Sequence, residues 1–144
     1  MDKRYQMTFY KADFVQYNRI LEDEEIRYRV SSFLLKYVSL EAFYKKMLIT
    51  MRESNGKKLT KKEKKSLSVR VDDVKKTLAY FDVTCDERLI DRIFGSNDKN
   101  YMECSIKKLR DRMVHNVNDN VLRIILERYD NDMADLDEFA SLLQ

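Results

Sequence analysis

The chain has 144 residues, 44% hydrophobic and 37% charged, with two glycines, no proline and a net charge of +3. A length of this order suits one domain, residues 1–144, around one core, and the shortage of turn residues excludes a sheet-rich fold in favour of all-α structure. So small a positive excess does not by itself make a nucleic-acid binder, because phosphate affinity depends on local clusters of lysine and arginine.

Tyr5, Phe9, Phe14, Tyr17, Ile20 and Leu21 have spacings that a helix from about Lys11 can use to cover a neighbour. The acidic run Glu22-Asp23-Glu24-Glu25 suits a helix N-terminus, where it complements the macrodipole. After it Ile26, Val30, Phe33, Tyr37, Leu40, Tyr44, Met47 and Met51 follow steps of four and three, widened by Leu34 and Leu48. This stripe predicts one helix of about 30 residues, or about 45 Å, stopped near Asn55-Gly56. It is the expected spine of an up-and-down helical bundle of about five helices.

Lys57, Lys58, Lys61, Lys62, Lys64 and Lys65 crowd the next segment. It reads either as a solvated linker or frayed helix start, or as an arm that attracts nucleic-acid phosphates; with no aromatic residue interleaved it could hold a backbone but not stack bases. Val69, Val71, Val74, Leu78 and Phe81 predict a helix from about Ser68 to Tyr80. Thr84 opens a shorter one, with Glu87 completing a capping box, Leu89, Ile90, Ile93 and Phe94 as its buried side and Gly95 as its stop. Ser96-Asn97-Asp98 forms a polar turn before a helix whose core stripe is Met102, Ile106, Leu109, Met113 and Val117, and which ends between Asn116 and Asn120. Leu122, Ile125, Tyr129, Met133, Leu136, Ala140 and Leu143 carry the last helix.

Several chemistries are excluded. Two isolated glycines cannot build a Gly-rich phosphate loop, which removes P-loop and Rossmann readings. The acids Asp130, Asp132, Asp135, Asp137 and Glu138 fail the calcium-loop pattern, whose glycine would fall on Asp135, and read as a solvated helix face. Cys85 and Cys104 lack metal-ligand spacing, so reduced structural thiols, no metal and no cofactor are expected. No apolar run reaches the roughly 18 residues of a membrane span and no signal-peptide core opens the chain, so a soluble, cytoplasmic protein without a membrane partner is expected.

The only histidine, His115, falls on the reverse side of its helix from the core stripe, with Asp111 one turn back and close enough to hold the imidazole. Arg110 lies between the two sides. A base, an orienting acid and a cation thus share a surface the core does not use. The competing reading of His115 is a residue that only caps the helix C-terminus.

An arginine, a polar residue directly after it and a histidine with four residues between the two basic groups, near the end of a helix in a small helical protein, resembles the signature of HEPN domains. The matching residues are Arg110, Asp111 and His115, and the likeness extends over roughly residues 25–143. It implies a metal-independent endoribonuclease acting as a homodimer on RNA, of the toxin or effector kind used in stress response or phage defence, with an antitoxin protein as a further partner. His115 would then serve as acid or base at the ribose 2′-hydroxyl and the leaving oxygen, Arg110 would neutralise the phosphate, and Asp111 would position them, giving 2′,3′-cyclic phosphate ends. Arg112 and the six lysines would contribute to RNA binding. In family toxins controlled by a nucleotidyltransferase, a tyrosine follows two positions after the histidine; Val117 stands there in this chain. Geometry adds its own argument for two copies, because five residues separate Arg110 and His115 by about 140° on a straight helix, so one copy converges poorly on one phosphate. The alternative is a non-catalytic helical bundle that binds protein or nucleic acid.

Overall fold

The computed structural model describes residues 2–96 and 99–144, and among these every regular element is helical. Side chains of Tyr5 and Phe9, and the turn residues Asn97 and Asp98, lie outside the described residues. The helices are α1 (Lys3–Glu22), α2 (Glu24–Arg52), α3 (Lys61–Lys65), α4 (Val71–Tyr80), α5 (Glu87–Phe94), α6 (Ile106–His115) and α7 (Asp119–Leu142), with a 3-10 turn at Glu53–Asn55. The excess over the five or so expected comes mainly from pieces too short to carry a periodic stripe. None of the described helices is long and apolar enough to cross a membrane.

The spine forms as its stripe requires. Asp23 is the single-residue corner between α1 and α2, and its Oδ1 accepts from the backbone N–H groups of Glu25 and Ile26, satisfying donors the first helical turn leaves open. Val30, Phe33, Tyr37, Leu40, Tyr44 and Leu48 are the residues α2 buries. Gly56, at φ 89°, ends the 3-10 turn in the left-handed region, where a side chain would be strained.

The most extensive packing is that of α2 along α7, reinforced by the Lys36–Asp137 ion pair. Phe94, from α5, is wedged between them: its ring meets Phe139 edge-on at 5.4 Å and lies 6.0 and 6.4 Å from Tyr44 and Tyr37. Such contacts add to the apolar area removed from water. Arg92 and Asp135 join α5 to α7 by two hydrogen bonds of 3.0 and 3.1 Å.

Three local expectations are corrected. Asp86, not Thr84, caps α5, because its carboxylate accepts from Arg88 N at 2.8 Å and makes Glu87 the first helical residue. The capping box forms in the lysine segment instead, between Thr60 and Glu63, and it starts the short helix α3. Met102 is 49% exposed and precedes α6, since Ser105 caps that helix while its hydroxyl donates to Gly95 O at 2.7 Å. Ile106, Leu109 and Met113 remain as the buried stripe, with Val117 packed against the core beyond the helix end.

Candidate functional site

Helix α6 presents its three singled-out residues differently. Leu109 and Met113 anchor it to the core, which turns Arg110 toward α2 and leaves His115 at the exposed last turn. Arg110 is held from several directions. Its NH2 group donates to Glu41 Oε2 at 2.9 Å and lies 3.2 Å from Asp111 Oδ1, and its guanidinium sits over the Tyr37 ring at 4.9 Å. Only 20% of its side chain is exposed, and its buried Nε–H has no acceptor among the described residues.

Glu41 also receives Lys45 at 3.2 Å, so two cations converge on one half-buried carboxylate. Burial pushes the Glu41 carboxyl up, but the neighbouring Tyr37 hydroxyl, Arg110 and Lys45 outweigh it and hold the group below its ordinary value. Tyr37 itself is fully buried; desolvation first, and the Glu41 carboxylate second, drive its phenol far above the usual range and keep it neutral. Arg110 is stabilised as a cation beyond its ordinary value, since Tyr37, Glu41 and Asp111 together exceed the opposing effect of burial.

The expected grip of Asp111 on His115 is absent. Asp111 turns to Arg110, and among the described residues the imidazole has no hydrogen bond or ion pair. His115 is therefore unencumbered at the surface. Glu41, 69 residues earlier in the chain, is the member that reading α6 alone misses. Its signal was its place one turn after Tyr37, an acid at the edge of the core stripe.

The lysines form a separate feature. Lys57, Lys58, Lys61, Lys62, Lys64 and Lys65 are all exposed, and hydrogen bonds to Thr60 hold Glu63 among them below its ordinary carboxyl range. After them the chain re-enters the core at Leu67 and Val69, and Lys107 donates to Val69 O at 2.6 Å. The segment thus meets α6 near its N-terminal turn, about 12 Å along the axis from His115. It does not join the Arg110 cluster by any hydrogen bond or ion pair among the described residues.

Arg112 points to the opposite flank from Arg110. Its guanidinium lies over the Tyr101 ring at 4.2 Å, at the edge of a shallow cleft of about 430 Å³. The acids of α7 are less solvated than expected: Asp132 is buried against Arg128, and Asp135 is paired with Arg92. Among the described residues no three His, Cys, Asp or Glu side chains converge as a metal site requires. Comparisons of the chain with protein-family models, with curated proteins and with solved structures gave no match.

Proposed function

We propose that the protein is a metal-independent endoribonuclease of HEPN type, acting through His115 and Arg110 on single-stranded RNA as a homodimer. The observation that carries this reading is the contrast along α6 between an exposed, unpartnered imidazole and an arginine braced by Glu41 and Tyr37 about 1.4 turns before it. An unpartnered imidazole is free to pass a proton between the attacking 2′-hydroxyl and the leaving oxygen. A braced guanidinium loses little further freedom when it meets a phosphate. Lys45 matters to this step: when a phosphate draws Arg110 away from Glu41, Glu41 keeps a second cation 3.2 Å away. The second copy supplies the convergence that about 140° of separation denies a single helix.

Purified protein cleaves single-stranded RNA in the presence of EDTA on this reading, leaving 2′,3′-cyclic phosphate ends. His115→Ala and Arg110→Ala abolish cleavage while the helical circular dichroism signal is kept, and unimpaired cleavage by both variants contradicts it. Toxin or effector biology, with an antitoxin as restraint, belongs to the same proposal.

One observation favours the second reading, a non-catalytic binding bundle: Arg110 already satisfies two carboxylates and exposes only a fifth of its side chain. That reading expects no scission, indifference to His115→Ala, and loss of ligand when the six lysines are neutralised.

A further inference from the structure

The cleft beside Arg112 differs in charge from three other clefts among the described residues. Lys99, Asn100, Tyr101, Met102, Arg112 and Asn120 line it together with one α7 isoleucine, and among the described residues no carboxylate does. The polar cleft between α5 and α7 carries Asp91, Glu103, Glu127, Asp132 and Asp135, and those beside the α4 N-terminus carry Asp72, Asp91, Glu63 and Asp73. The acid-rich cleft between α5 and α7 shares Lys99 and Met102 with it, so a polyanion is repelled on that side and met by Lys99 and Arg112 on this one.

Within this cleft the 4.2 Å approach of Arg112 to the Tyr101 ring makes a flat, cationic platform. Tyr101 is packed against the core on one side and its carbonyl accepts from Arg128 NH1 at 2.8 Å, so the platform is rigid before any ligand arrives. Guanidinium planes and aromatic rings are the surfaces on which unpaired RNA bases stack. Arg112 precedes His115 by three residues, about 4.5 Å along the helix axis, which is less than the span of one nucleotide.

We propose that this cleft is a nucleobase subsite: one unpaired base of single-stranded RNA stacks on the Arg112–Tyr101 platform while Lys99 meets the adjoining phosphate. The inference rests on the ribonuclease reading for the placement of the strand, but it makes a separate claim about base recognition. It also answers the shortage of aromatics in the lysine segment, since backbone attraction and base stacking fall to different parts of the molecule.

The test uses the full chain carrying His115→Ala, a fluorescein-labelled single-stranded RNA 20-mer, and an abasic sugar-phosphate oligomer of equal length, with affinity read by fluorescence anisotropy. The subsite gives RNA about tenfold tighter binding than the abasic oligomer, as one stacked base provides. Adding Arg112→Lys keeps the charge, loses the planar stack and removes most of that preference; Tyr101→Leu does the same. Full retention of the preference in Arg112→Lys overturns the subsite, as does equal binding of RNA and abasic oligomer by the parent. An Arg112-dependent preference in a protein that never cuts RNA upholds the subsite and defeats the ribonuclease reading. Cleavage without any base preference does the reverse.

Discussion

Arg110 and Arg128 are each paired with a carboxylate at closely similar distances, 2.9 Å to Glu41 and 3.0 Å to Asp132, yet the two acids respond in opposite directions. Asp132 is the deeper, with 7% of its side chain exposed, and burial raises its carboxyl above the ordinary value although Arg128 opposes the change. The like charge of Asp135 adds to the rise. Glu41 is half-buried, but the Tyr37 hydroxyl and two cations reverse the effect of burial. The difference lies in the supply of partners: a buried ion pair breaks even only when enough donors replace the lost water. Arg128 is committed to structure, since it also donates to Tyr101 O at 2.8 Å and fixes the turn before α6. Arg110 belongs to a cluster in which Lys45 also serves Glu41.

The largest stability effect belongs to the committed pair. Arg128→Ala lowers unfolding free energy by about 3 kcal/mol in urea titration, because it strands Asp132 and releases the Tyr101 carbonyl. Arg110→Ala costs less, about 1–2 kcal/mol, since Lys45 still serves Glu41. Equal losses for the two arginines would break the comparison.

Changing pH separates the acids by sign. Glu41, lowered in the folded protein, contributes stability that is present above its unfolded value and disappears as pH falls through its folded value. Glu41→Gln therefore lags the wild type at neutral pH and draws level in acid. Asp132, raised in the folded protein, contributes stability below its unfolded value and loses it as pH rises through the folded one. Asp132→Asn accordingly starts level with the wild type in acid and gains on it toward neutrality. Thermal melts of both variants from pH 3 to pH 7 read these slopes, and parallel slopes would contradict the account.

The smallest stability effect is expected from the exposed lysines. Replacing Lys57, Lys58, Lys61, Lys62, Lys64 and Lys65 by glutamine shifts stability by no more than about 0.5 kcal/mol. On the proposed ribonuclease reading, RNA affinity falls and its dependence on salt becomes shallower, which a binding series in potassium chloride measures.

How far these features could be read from the chain follows their range. The spine α2 was legible because its stripe repeats over many turns, and α7 for the same reason. The starts of α5 and α6 were misplaced because several Ser, Thr and Asp residues offer caps within a few positions, and tertiary contacts choose among them; Ser105 is selected by Gly95 O. The placing of Arg110, Asp111 and His115 on one helix was visible, and so was the turning of His115 away from the core. The engagement of Arg110 was not, because Glu41 and Tyr37 reach it from another helix and no periodicity encodes which residues meet across a bundle. The same limit applies to the Arg112–Tyr101 stack, where a ring in an irregular turn meets a helix several residues later.

The central claim, that α6 carries a proton-transfer group and a phosphate-neutralising cation for RNA scission, is tested most directly by incubating labelled single-stranded RNA with purified wild-type protein and His115→Ala in EDTA. The account predicts fragments with cyclic phosphate ends from the wild type and intact RNA from the variant. Intact RNA from the wild type at every concentration, or identical fragments from both, would contradict it.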